Sequence, residues 1–202
     1  MARMTAARPH LQPVNEREAV ELEVLLAAVG RGEREAIGLF FDRFEREVNR
    51  LVWTMLGADA EHDDLVNQAF EVMLQKIGSV RAPAAVHGWV RQVTVNTVRM
   101  ELRRRRWRRF FSSSSSDEET ALEHPDFSVP DEHERARLRA LYRALDRLSV
   151  DDRTLIVLRH LEGLELTELA EAVEVSLATV KRRLARAEAR LSKTMGRGED
   201  EA

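Results

Sequence analysis

The stretch Leu166-Thr167-Glu168-Leu169-Ala170-Glu171-Ala172-Val173-Glu174-Val175-Ser176-Leu177-Ala178-Thr179-Val180-Lys181-Arg182-Arg183-Leu184-Ala185-Arg186-Ala187 holds two helical patterns around one break. Leu166, Leu169, Ala170 and Val173 follow amphipathic-helix spacing, and Val180, Leu184, Ala187 and Leu191 resume it after Glu174 and Val175. Ser176 stands where the second helix needs an N-cap, since its hydroxyl can accept a bond from a free backbone N–H of the first turn. Two helices around one tight turn form a helix-turn-helix, whose second helix enters the major groove with its first residues at base edges and its cations at phosphates. Ser176, Thr179, Lys181, Arg182, Arg183 and Arg186 occupy that end. An ordinary helical hairpin with a solvated basic face fits the same periodicity, which alone does not separate the two.

Outward from this motif, helical spacing recurs and strand-like alternation is scarce, so the fold class is all-α. Glu16 to Val29 reads as a helix ending near Gly30 and Gly32, and Glu33 to Leu56 as another, stopped by Gly57. Asp63 to Ile77 makes a third. Pro83 suits the first turn of a fourth that runs into an arginine cluster, with Val86, Val90, Val93, Thr97 and Met100 as its expected buried stripe. Ser112 to Ser116 and the acidic residues that follow, from Asp117 to Glu134, interrupt the pattern without any Lys or Arg and read as a linker. Leu138, Leu141, Leu145 and Leu148 restore it, and Ser149 offers an N-cap for the next helix. The expected organisation is a disordered tail over 1–15, a first helical domain over 16–111, an acidic flexible linker over 112–133, a second domain with the helix-turn-helix over 134–195, and a disordered tail over 196–202.

A chain of 202 residues accommodates two such domains. Lys and Arg number 32 against 35 Asp and Glu, so it is the distribution of charge that points to polyanions. Arg99, Arg103, Arg104, Arg105, Arg106, Arg108 and Arg109 form one cluster opposed by Glu101, and Lys181, Arg182, Arg183, Arg186 and Arg190 form a second. With no cysteine, disulfides and thiolate metal sites are excluded. No stretch has signal-peptide character or approaches the roughly 20 apolar residues of a membrane span, so the reading is a cytoplasmic protein without membrane insertion.

Leu148-Ser149-Val150-Asp151-Asp152-Arg153, Leu158-Arg159-His160-Leu161-Glu162-Gly163-Leu164, Glu168-Leu169-Ala170-Glu171 and Thr179 to Ala187 together resemble the promoter-upstream-element-binding domain of the extracytoplasmic-function sigma factors of the sigma-70 family. The resemblance keeps its order from Leu138 to Leu191. It departs at Glu174, where family members usually carry glycine, and at Ala178, usually glycine or a similarly small residue.

In the first half, Asp63-Asp64-Leu65-Val66-Asn67-Gln68-Ala69-Phe70 puts polar residues on one helix face, which by itself is an ordinary solvated face. The segment resembles the family's helix that docks on the clamp helices of the polymerase's largest subunit, with Asn67 in place of the usual Gln and Gln68 in place of the usual Glu. The resemblance implies a polymerase-binding set of Asp63, Asp64, Asn67, Gln68 and Glu71. Gly88-Trp89-Val90-Arg91-Gln92-Val93-Thr94-Val95-Asn96-Thr97 resembles the promoter-melting and downstream-element segment. That implies DNA contact by Trp89, Arg91, Asn96, Thr97, Arg103 and Arg104, with Asn96 bonding the splayed edge of an unpaired base and the loop from Ser79 to His87 closing over it. For Trp89 a core anchor between helices is the preferred reading over direct DNA stacking, and Trp107 can stack on a base, lie along the backbone or pack the helix end.

The implied partners are RNA polymerase core, promoter DNA both as duplex and as opened strand, and an anti-sigma factor. The implied function is to direct core polymerase to specific promoters and promote strand opening, with no catalysis and no cofactor of its own. Gly-rich phosphate loops and nucleophile elbows are missing from the sequence. Asp59 with His62, and Glu132 with His133, are isolated pairs that lack the further ligands of a metal site. A DNA-binding regulator using the helix-turn-helix alone leaves the Trp89 to Asn96 match unexplained, and a plain interaction module leaves both basic clusters unused.

Overall fold

The computed structural model describes residues 16–57, 59–80, 82–111 and 132–199, and every regular element among them is helical. The expected tail over 1–15 and nearly all of the linker over 112–133 lie outside the described residues. The first group of helices comprises α1 (Glu16–Gly30), α2 (Arg34–Leu56), α3 (His62–Lys76) and α4 (Val86–Phe111), with single 3-10 turns at Ile77–Ser79 and Pro83–Ala85. The second comprises α5 (Glu132–Asp146), α6 (Val150–His160), α7 (Leu166–Ala172) and α8 (Leu177–Glu199). None of the described helices is long and apolar enough to cross a membrane.

Local chemistry sets most of the boundaries. Gly57 ends α2 at φ 79°, in the left-handed region that glycine enters without penalty. Pro83 opens the turn that leads into α4. Ser149 Oγ accepts from Asp152 N at 3.1 Å and caps α6. α8 continues to Glu199, past Gly196 where composition suggests fraying, and α5 starts at Glu132, two residues ahead of the expected boundary.

In the first group the core runs along α2 through Phe40, Phe44, Val48, Leu51, Val52 and Met55, faced by Leu65, Val66, Ala69, Phe70 and Met73 of α3. α4 closes it with Val86, Val90 and Val93. The expected stripe of α4 needs one correction: Met100 is 69% exposed, while Val95, Val98 and Leu102 are buried. The reason is that α4 is covered from two sides. α2 and α3 take one side and α6 and α7 of the second group take another, so the buried arc is wider than a single amphipathic stripe.

The two groups share a built contact. The last carbonyls of a helix have no intrahelical donor, and at the end of α2 the second group supplies donors. Arg153 donates to Met55 O at 2.7 and 3.1 Å and to Leu56 O at 3.3 Å, and Tyr142 Oη donates to Thr54 O at 3.1 Å. A guanidinium there also meets the negative end of the helix dipole. The buried Glu162 pairs with Arg50 of α2. A Cβ on Gly57 would lie 3.2 Å from the Tyr142 ring, so this position requires glycine for its close approach as well as for its φ.

Candidate nucleic-acid interface

α3 presents Asp63, Asp64, Asn67, Gln68 and Glu71 on one exposed polar face, because its apolar residues Leu65, Val66, Ala69, Phe70 and Met73 all turn to α2 and α4. None of the five has an ion pair or side-chain hydrogen bond among the described residues. Their carboxylates and amides remain open to another molecule.

On α4, Trp89, Gln92, Asn96, Met100, Arg103 and Trp107 are three or four residues apart and therefore share one line along the helix. Its far end is open, with Met100 and Trp107 more than two-thirds exposed. At its near end Trp89 packs against the core and its Nε1 donates to Ser79 Oγ at 3.1 Å, pinning the 3-10 turn Ile77–Ser79. Trp89 is thus a core anchor in this arrangement. Asn96 is half-buried: its Nδ2 donates to Glu174 Oε2 at 3.3 Å and its Oδ1 accepts from Arg99 at 3.1 Å. Gln92 Nε2 donates to Glu174 Oε1 at 2.8 Å.

Two expected DNA contacts are buried. Arg91 lies between Glu47 of α2 at 3.9 Å and Glu168 of α7 at 3.8 Å, and Thr97 Oγ1 donates to Val93 O within its own helix at 2.9 Å. Much of the arginine run is engaged as well. Arg99 and Arg103 donate to Asp151 at 2.7 and 2.6 Å, Arg104 pairs with Glu101 at 2.6 Å, and Arg106 donates to Leu148 O at 2.8 Å. Arg105 binds Asp59, Glu61 and Glu101. Burial works to raise the Asp59 and Glu101 pKa values, but hydrogen bonds and charge from Arg105, joined at Glu101 by Arg104, outweigh it and hold both carboxyls below their usual range. Asp59 therefore serves an ion pair, and His62 Nε2 meets Asn49 Oδ1 at 3.0 Å. No cluster with metal-ligand character occurs among the described residues, and the side chains of Glu132 and His133 lie outside them.

The helix-turn-helix is present as α7 and α8. Glu174 sits at φ 55°, the sole non-glycine with positive φ among the described residues. Bonds from Val175 N to Ala170 O and from Glu174 N to Glu171 O close a Schellman turn, in which glycine usually takes this place; a bulkier residue costs on the order of 1 kcal/mol. Ser176 Oγ accepts from Thr179 N at 3.3 Å. Lys181 and Arg182 stand exposed without an ion pair among the described residues. Arg183 reaches Asp151 at 3.4 Å, and Arg186 reaches the buried Asp152 at 2.9 Å.

Sequence reasoning missed the residues that join the groups: Tyr142, Asp151, Arg153, Glu162, Glu168 and Glu174. Only Glu174 carried a signal, its departure from glycine, and that signal concerned the turn. Tyr142 shows the depth of the contact, since burial first, with Glu162 adding to it against Arg153, pushes its hydroxyl pKa up to about 12.

Residues 40–108 match the family described as Sigma-70 region 2, and residues 138–191 match Sigma-70, region 4. The ECF RNA polymerase sigma factor SigM of Mycobacterium tuberculosis is 31% identical over 179 residues, 85% of this chain and 83% of that one. The ECF RNA polymerase sigma-E factor of Escherichia coli K12 is 27% identical over 172 residues, 82% of this chain and 89% of that one. Among solved structures, CnrH in complex with the cytosolic domain of CnrY aligns at TM-score 0.57 and 19% identity, covering 86% of this chain and 96% of that one. The sigma factor RpoE in complex with the anti-sigma factor NepR from Bartonella quintana aligns at 0.56 and 20%, covering 88% and 95%. Both share the fold.

Proposed function

Because the chain belongs to the extracytoplasmic-function group of the sigma-70 family of RNA polymerase sigma factors, we propose that its three polar surfaces divide promoter recognition between them. A sigma factor binds core polymerase and promoter DNA and starts transcription, while the polymerase performs the phosphodiester chemistry. In this chain the open face of α3, from Asp63 to Glu71, docks on the polymerase. The start of α8, with Ser176, Thr179, Lys181, Arg182, Arg183 and Arg186, holds the upstream duplex element. The line on α4 captures the opened downstream strand, Asn96 bonding the base and Arg103 and Arg104 the backbone. Residues 16–111 and 134–195 act as the two functional domains. The acidic stretch between them suits the basic lining of a cleft built for RNA. An anti-sigma factor is expected as regulator, and the protein works in the cytoplasm with the polymerase.

The observation that carries this reading is the exposed polar face of α3, unpaired among the described residues, on the same chain as a helix-turn-helix whose Lys181 and Arg182 have no ion pair among those residues. The test is reconstitution with core polymerase at a promoter found by mapping transcript starts. Variants of α3 should fail to join core, variants of α8 should lose upstream protection, and variants of α4 should lose permanganate reactivity of the opened strand. Loss of the same step by all three would overturn the division.

A further inference from the structure

The turn between α7 and α8 lies against the face of α4 assigned to the opened strand. Glu174 extends one carboxylate to two amides, Gln92 and Asn96, spaced four residues apart on α4. Beside it Asp151, at the start of α6, takes Arg99 and Arg103, and Glu168 of α7 lies 3.8 Å from the buried Arg91. Asp151 also reaches Arg183 of α8. Two carboxylates of the second group, Glu174 and Asp151, thus sit on Asn96 and Arg103, donors assigned to the anionic strand. A carboxylate offers these amides and guanidiniums the same acceptor oxygens as a phosphate or a base edge, so the two occupants exclude each other. Glu174 holds its position in a turn where glycine would be relaxed, so the contact is kept at the expense of local backbone preference.

We propose that Glu174 is an intramolecular latch: in the polymerase-free protein its carboxylate occupies the Gln92 and Asn96 amides and keeps the strand-capturing face of α4 closed until the second group moves away. This rests on the assignment of Asn96 to the opened strand. The latch fills the site with a built-in acidic mimic, so the free chain binds single-stranded DNA poorly. Binding of each partner must then supply the energy to open it.

Glu174→Gly tests this without endangering the fold, because glycine accepts the φ of 55°. The chain has no cysteine, so Gln75→Cys on α3 and Ala189→Cys on α8, both exposed, take a pair of labels that report the separation of the groups in the full-length protein. The wild type should show one short separation and weak binding of a short fluorescent single-stranded DNA of mixed sequence. Glu174→Gly should lengthen or broaden the separation and tighten that binding by about 5- to 10-fold, the equivalent of one charge-assisted bond. Glu174→Gln, which keeps an acceptor oxygen but loses the charge, should fall between. An unchanged separation in Glu174→Gly overturns the latch whatever the affinity does, because removal of one negative charge near DNA tightens binding without any opening. A longer separation with unchanged binding overturns it too. Promoter-directed transcription by the wild type with core polymerase, run in parallel, reports on the division of labour separately and does not depend on the latch.

Discussion

α3 and α4 lie side by side and both carry polar residues read as contacts to other molecules, yet they end in opposite conditions. The outer face of α3 is open from Asp63 to Glu71 without internal partners among the described residues, whereas the line on α4 is met at Gln92 and Asn96 by a carboxylate from the other half of the chain. The difference follows from the sign of the groups. A face of carboxylates and neutral amides has no cation set against it among the described residues and remains solvated. A face of guanidinium and amide donors suits any oxyanion, and the chain's own Asp151, Glu168 and Glu174 are nearer than a nucleic acid. Donors arranged for a polyanion are therefore the surface most readily closed by the protein itself.

The strongest way to break the comparison is at Asn96. If its amide reads an unstacked base once the groups have parted, Asn96→Ala removes about 1 to 3 kcal/mol of strand capture, roughly 5- to 150-fold in open-complex formation. Core binding and upstream duplex binding should survive. On a promoter with a premelted bubble the defect should persist if the base is read and vanish if Asn96 serves strand separation alone. In the free protein the same substitution removes a latch contact, so the groups should part more readily even as open complexes fail. Permanganate reactivity at wild-type level on duplex promoters would reduce Asn96 to a structural partner of Glu174 and Arg99.

At α3 a smaller loss is expected. Asp64→Lys reverses one charge at the rim of a wide polar surface, for which about a 10-fold loss in affinity for core polymerase is expected. Asp64 has no ion pair among the described residues but stands in the first turn of α3, so the reversal should also cost about 0.5 to 1 kcal/mol of stability, too little to unfold the protein. Unchanged core affinity in a fluorescence titration of a folded mutant would remove α3 from the docking surface, and the contrast with α4 would lose one side.

Much of this was legible in the sequence where the signal is local. Gly57, Pro83, Ser149 and Ser176 act on backbone within a few residues, and each does in the structure what its chemistry implies. The family resemblance supplied the function. What stayed hidden is the contact between the halves, because Glu174 is 78 positions from Asn96 and Arg153 is 98 from Met55, and neither local propensity nor helical periodicity links them. The same contact widens the buried arc of α4 beyond one stripe: Arg91, expected to face DNA, and Thr97, read both as part of the buried stripe and as a DNA contact, are covered in this arrangement, while Met100, expected inside, faces out.

The mildest probe of the contrast is acid. Burial tends to raise the Asp151 pKa, but hydrogen bonds and charge from Arg99 and Arg103 prevail and hold it below the usual carboxylate value. A carboxyl with a depressed folded pKa contributes stability that is fully present above its unfolded value, about 4, and is lost as pH falls through the folded one. The separation of labels on α3 and α8 should therefore stay constant from about pH 5 to 8 and lengthen below about pH 4. Asp59 and Glu101 are depressed by arginines inside the first group and weaken that group over the same range. Asp151→Asn distinguishes the two sources. It should relax the contact near neutral pH and flatten the acid response of the separation, while the acid dependence of helix content in the first group persists. A separation that follows pH identically in wild type and Asp151→Asn would remove Asp151 as the source of the acid sensitivity and leave the other contacts, Glu174 among them, to hold α4 closed.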